Sequence, residues 1–125
     1  VFLNDISFKL LKKNKSKKGD ILNTARIAGI MASKKTSELI PLCHQLNLEK
    51  VDIGYIFNDS ENYIIVKSTS IASDKTGVEM EALVATTIAS LTIYDMLKAV
   101  DKKIKISDIW LDYKDGGRSG KFVRD

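Results

Sequence analysis

Val51-Asp52-Ile53-Gly54-Tyr55-Ile56-Phe57-Asn58 decides the fold. Val51, Ile53, Tyr55 and Phe57 fall on one side of a period-2 pattern, with Asp52, Gly54, Ile56 and Asn58 on the other, as a half-buried strand requires. Asn58-Asp59-Ser60-Glu61-Asn62 is a turn, and β-branched Tyr63–Ser70 returns antiparallel. Working outward, the residues before this hairpin predict two helices. Asn4 or Asp5 caps a short one reaching about Lys12, Lys13 to Gly19 is a loop, and Asp20 caps a second over Ile21–Thr36. On the second, Ile21, Ala25, Ala28, Ala32 and Lys35 share one stripe, broadened by Leu22, Ile27, Ile30 and Met31. Pro41 marks a turn or extended segment before the hairpin.

After the hairpin the pattern predicts a long helix from about Val78 to Val100. A last strand over about Ile104–Lys114 and a Gly/Ser tail follow. With Val1–Leu3 as the stub of a first strand, the order is (β)αββαβ. That order implies an α+β chain of ferredoxin-like form, a two-layer sandwich with helices covering one face of an antiparallel sheet. The chain reads as a single domain over 1–125, with neither internal repeat nor linker. Apolar residues spread round most of the long helix, from Ala82 to Val100. Such a helix is buried on more than one side, and in a chain of this size a second subunit is the expected cover.

The 125 residues, 44% of them hydrophobic, are enough for a real core. No apolar run reaches the ~18 residues of a membrane span and no secretory leader is visible, so no membrane role is expected. The first residue is Val1 rather than Met, consistent with a processed or trimmed end. Cys43 is the only cysteine, which excludes an internal disulfide and suggests a cytoplasmic chain, or a mitochondrial one in a eukaryote. A net charge of +4 favours anionic partners without choosing among them. Much of the excess sits in Lys12, Lys13, Lys15, Lys17 and Lys18, a run that ordinarily forms a solvated loop.

Lys75-Thr76-Gly77-Val78-Glu79-Met80-Glu81 gathers an ammonium, a hydroxyl, a glycine and two carboxylates at the start of the long helix. That helix end suits an anion. Thr76 and Glu79 also have the spacing of a capping box, which needs no ligand. Further along, Asp95 and Lys98 share a face: either a solvated ion pair, or a carboxylate and an ammonium that shift each other's pKa for proton transfer. Glu81 and Asp95 point roughly the same way but lie about 21 Å apart along the axis. One small ligand reaches both only if it is extended or if another subunit completes the site. His44, the single histidine, follows the Pro41 turn and reads as structural or as a site residue. Cys43 reads as a buried hydrophobe rather than a nucleophile, and one His beside one Cys makes no metal cluster. The closing Lys114-Asp115-Gly116-Gly117-Arg118-Ser119-Gly120-Lys121 is either a flexible tail or a cationic phosphate clamp; it is not a Walker A loop.

Taken together, Lys18-Gly19-Asp20, Ala25-Arg26-Ile27-Ala28-Gly29-Ile30, Leu39-Ile40-Pro41-Leu42-Cys43-His44, Lys75–Leu83, Leu91–Met96 and Lys98–Lys102 resemble the molybdenum cofactor biosynthesis protein C family. The resemblance spans about Lys18 to Phe122, with residues 1–17 matching poorly. It implies an enzyme of the lyase class that converts 3′,8-cyclised dihydro-GTP into cyclic pyranopterin monophosphate and releases pyrophosphate. Asp95 resembles the family's catalytic carboxylate, and Lys18 and Lys98 its catalytic lysines. Leu42, Cys43, His44, Met80 and Glu81 resemble its substrate-contacting residues, with Glu79 and Lys114 also lining that pocket. The family implies a homohexamer, a trimer of dimers with interfacial active sites. No resident metal or cofactor is implied, and a magnesium ion travelling with the triphosphate is left open. Two positions depart from the family pattern: Gln45 stands where proline usually follows the histidine, and Arg118 where the glycine-rich tail usually carries lysine. The rival reading is a nucleic-acid-binding module of the same fold. In it Tyr55 and Phe57 would stack bases, but Asp95, Glu79 and Glu81 would have no role.

Overall fold

The computed structural model describes residues 1–73 and 75–125. Its elements run α1 (Asp5–Lys13), α2 (Ile21–Ser33), α3 (Thr36–Leu39), β1 (Leu48–Asn58), β2 (Tyr63–Ala72), α4 (Glu79–Leu97), β3 (Tyr113–Lys114) and β4 (Phe122–Val123). β1 and β2 form an antiparallel hairpin in which Ile53 faces Ser68 and Ile56 faces Ile65. Val1–Leu3 lies beside β2: Ile64 N donates to Val1 O (2.9 Å), and Phe2 bridges both Tyr63 and Lys105. The spatial order is therefore β1, β2, the 1–3 segment, then the stretch at Lys105. That is the ferredoxin-like order, with its two inner-to-edge strands reduced to single bridges.

The expected strand over Ile104–Lys114 is not formed. Ile104 is buried, but Asp108 takes a left-handed φ of 56°, and Ile109 and Trp110 are about half exposed. An L-residue at positive φ interrupts an extended run. The chain re-forms a ladder only at Tyr113–Lys114, paired with Phe122–Val123 in a separate two-stranded sheet. The second predicted helix, expected to reach Thr36, ends at Ser33, and the short α3 begins at Thr36. Lys35 is exposed, and the buried stripe of α2 is Ile21, Ala25, Gly29 and Ser33.

The helices lie on the hairpin face that carries Ile53 and Ile64, while Ile56, Ile65 and Ile71 on the other face are exposed. Tyr55 and Phe57 also point toward the helices. Tyr55 Oη donates to Leu22 O (2.8 Å), and the Phe57 ring meets Phe8 edge-on at 5.8 Å. Aromatics so engaged offer no open platform for bases, which removes the support for the nucleic-acid reading.

α4 is the centre of the molecule. α2 packs along one flank of α4, β2 along another, and Thr87, Leu91 and Asp95 form its one exposed stripe. The burial expected of a second subunit is thus supplied largely within the chain. α4 has the length and apolar content of a membrane span, with a mean hydropathy of 1.3. Its packing between α2 and β2 accounts for the same composition. The α2–α4 contact is close because its residues are small: Ala25, Gly29 and Ser33 face Ala85 and Ala89. Ser68 Oγ, from β2, donates to Ala82 O (2.6 Å) and fixes the first turns of α4. At the other end, the buried Asp101 carboxylate accepts from Asn4 N and Ser7 Oγ (both 2.8 Å) and from Lys103 N (3.0 Å). Burial pushes that carboxyl up, but these hydrogen bonds outweigh it and hold it below its ordinary value.

Candidate functional site

Asp95 ends the exposed stripe of α4, and two lysines meet it. Lys98 Nζ lies 2.7 Å from Oδ1 and Lys18 Nζ 3.1 Å from Oδ2, so each carboxylate oxygen has its own cation. Lys98 is placed by helical spacing alone. Lys18 is brought from 77 residues away by a tight turn. Ser16 and Gly19 exchange backbone hydrogen bonds, Gly19 takes φ +104°, and Lys18 N donates to Ser16 Oγ (3.1 Å). Asp20 then caps α2 by accepting from Asn23 N, and Asn14 clamps the turn through Asp20 Oδ1 (2.6 Å) and Leu22 N (2.8 Å). Hydrogen bonds from Lys98, then Lys18, hold the Asp95 carboxyl below its ordinary value, while Asp95 holds the Lys98 ammonium above its own. Asp95 is half exposed, so the pair is screened, but in this state it is a base rather than an acid at neutral pH.

The second group sits at the opposite end of α4. No capping box forms: α4 begins at Glu79, its N-cap is Val78, and among the described residues no side chain caps it. Glu79 instead pairs with Lys114 of β3 at 3.3 Å, both largely sheltered. Glu81 is 4% exposed. Burial, first, and then the neighbouring Glu79 raise its carboxyl above the ordinary value, against its own backbone N–H and His44, which pull it down. α2 leaves the Lys18 turn beside Asp95, passes Ala89 and Ala85 at Gly29, and is followed by α3, which also packs on α4, so the chain reaches the His44 turn on the Glu81 side. His44 is exposed and follows a turn in which Cys43 N donates to Ile40 O (3.1 Å). Gln45, beyond this turn, accepts from Ser37 Oγ (2.9 Å). Leu42 is 98% exposed and Cys43 and Met80 are half-buried. Among the described residues no cluster of His, Cys, Asp or Glu has the arrangement of a metal site.

A cavity of about 810 Å³ opens between β2, the start of α4 and the 106–115 segment, with Thr76, Glu79, Trp110 and Lys114 on its wall. A second, of about 460 Å³, is lined by Glu79, Lys114, Ser119, Lys121 and Arg124, three cations to one carboxylate among its charged groups. The MoaC family model matches residues 1–117. The chain belongs to the MoaC family. Relatives named cyclic pyranopterin monophosphate synthase are similar over most or all of this chain. The one from Campylobacter jejuni (strain RM1221) is 49% identical over 124 residues, 99% of this chain and 79% of that protein. The one from Heliobacterium modesticaldum is 46% identical over 125 residues, again 79% of that protein. The one from Syntrophomonas wolfei is 53% identical over 109 residues, 87% of this chain and 69% of that protein.

Within this MoaC-family chain the residues singled out from sequence fall into two groups. Asp95, Lys98 and Lys18 meet at one end of α4; Glu79, Met80, Glu81, Lys114 and the His44 turn lie toward the other. A single protomer does not join them. Sequence reading missed the pairing of Glu79 with Lys114. The two are 35 positions apart, and only the β3–β4 hairpin, hidden in what read as a tail, brings them together.

Proposed function

We propose that this chain is a cyclic pyranopterin monophosphate synthase, converting 3′,8-cyclised dihydro-GTP to the cyclic pterin phosphate with loss of pyrophosphate. The observation that carries the reading is identity of 46–53% over most or all of the chain to relatives bearing that name. The geometry supplies parts the chemistry needs. Rebuilding the ring system requires proton acceptors and donors, and closing the cyclic phosphate requires cations beside the triphosphate as pyrophosphate leaves. Asp95 is our assignment for the base, with Lys98 and Lys18 orienting it and answering developing negative charge. Glu79, Glu81, His44 and Lys114 are our assignment for the substrate-holding half, with Leu42, Cys43 and Met80 beside them.

The two groups lie about 21 Å apart along α4, so we propose that each active site joins one group from one protomer with the other group from a neighbour, in a homohexamer. The exposed Ile27 and Met31, one turn apart on α2, and Leu91 on α4 support such contacts. The class would be a phosphorus–oxygen lyase acting in the cytoplasm without a resident cofactor; a magnesium ion, where present, would arrive with the triphosphate. The test is conversion of the cyclised nucleotide by purified protein, read by mass detection of the pterin. Asp95→Asn should lower turnover by about 10²–10⁴-fold with assembly intact. Undiminished product formation by that variant would refute the role of Asp95.

A further inference from the structure

Gly77 precedes α4 and Gly117 lies in the turn between β3 and β4, and the two backbones touch. A Cβ built on Gly117, whose φ is +78°, would stand 2.9 Å from Gly77 N, 3.4 Å from its Cα and 3.6 Å from Lys114 Nζ. A Cβ on Gly77 would stand 2.2 Å from Glu79 Oε2 and 3.2 Å from Lys114 Nζ. The Glu79 carboxylate thus occupies space that a side chain at 77 would fill and the Lys114 ammonium crowds the same position, while a side chain at 117 would press on the Gly77 backbone that lies against both. Lys114 is held there with its side chain 13% exposed, and Glu79 Oε2 is buried with no hydrogen-bond partner among the described residues.

Turn geometry alone does not explain this contact. Gly116 and Gly120, at φ +88° and +68°, have the same left-handed backbone, yet a Cβ on either would meet nothing within 4 Å. Of these three tail glycines, only the one that rests on Gly77 is crowded. We propose that Gly77 and Gly117 form a side-chain-free cradle that sets the position of the Lys114 ammonium against Glu79, and that they are positioning residues for the substrate-holding half of the site. The inference rests on the synthase reading for its consequence in catalysis, but not for the placement of Lys114. A cation that must meet a phosphate oxygen tolerates little displacement, because a shift of about 1 Å can cost on the order of a hundredfold in rate.

The experiment compares Gly77→Ala and Gly117→Ala with Gly116→Ala and Gly120→Ala. All three tail variants carry a left-handed backbone penalty, so their melting temperatures should all fall, Gly117→Ala the furthest because its Cβ also meets the Gly77 backbone. Gly77→Ala has no such penalty and meets mainly the mobile end of Glu79, so its melting temperature should hold. Two readouts separate positioning from folding. The first is turnover of the cyclised nucleotide, where the two cradle variants should lose about tenfold or more and the two control variants should stay close to wild type. In a Lys114→Gln background the cradle substitutions should have no further effect, the coupling expected of residues that act through one group. The second is the acylation rate of Lys114 by a lysine reagent, read by mass spectrometry. It should rise in the cradle variants and not in the controls. Cradle and control variants behaving alike in both readouts would overturn the proposal. If the unsubstituted protein makes no pterin, the synthase reading falls, and the acylation ordering alone decides the cradle.

Discussion

At the scale of single residues, Glu81 carries the clearest conflict between stability and use. Its carboxyl is buried in the first turn of α4 and its pKa lies above the ordinary 4.5. A carboxyl raised in this way adds stability below its unfolded pKa, and that contribution is lost as pH rises through the folded value. Glutamine keeps the shape without ionising. Glu81→Gln should therefore melt at a higher temperature than wild type at pH 7, with the difference closing below about pH 4.5 in thermal scans. If Glu81 holds substrate, the same variant should lose turnover, so a gain in one measurement would accompany a loss in the other. Asp95 differs in kind. It is exposed, doubly paired and held in its charged form, so its substitution should be felt in catalysis and little in melting.

Among the elements, α4 and its contact with α2 set the geometry on which both ends depend. Gly29 lies where a Cβ would come 2.4 Å from Ile53 Cδ1 and 2.7 Å from the Ala85 carbonyl. Helix propensity favours alanine over glycine by roughly 1 kcal/mol, but the Ala85 carbonyl is backbone and cannot turn aside. Gly29→Ala should therefore destabilise the chain by about 1–3 kcal/mol, read from denaturant midpoints. Much of this level was legible in the sequence. The hairpin, the Asp20 cap and the long helix follow from period-2 alternation, a capping residue before an apolar run and an uninterrupted helical pattern. The misreadings have physical causes. Ile104–Lys114 has strand-like composition, but Asp108 turns it out of the sheet. Thr76 has the spacing of a cap, yet the helix starts beyond it. The role of Gly29 was not legible at all, because close approach of two helices leaves no local signature. The half-site around Asp95 was visible because Lys98 is three residues away; its partner Lys18 and the pair Glu79–Lys114 depend on tertiary contacts that spacing does not carry.

For the whole molecule, the reading of a shared site makes a quantitative demand. In an isologous pair, a protomer damaged at Asp95 and one damaged at Glu81 can together build one intact site. Two inactive preparations, Asp95→Asn and Glu81→Gln, mixed one to one after dissociation and reassembly, should recover roughly a quarter of wild-type turnover. No recovery from preparations shown by native mass spectrometry to have exchanged subunits would mean that the site lies within one protomer. The same measurement gives the number of subunits in the assembly.

α4 runs unbroken between the two groups of charged residues, and this makes its length a matter of phase as well as distance. One residue inserted between Ala85 and Ser90 would advance the far end by about 1.5 Å and also rotate it by about 100°, turning Asp95 away from Lys18 while leaving every side chain chemically intact. Loss or gain of a single codon in this helix would thus disable the protein more surely than most substitutions.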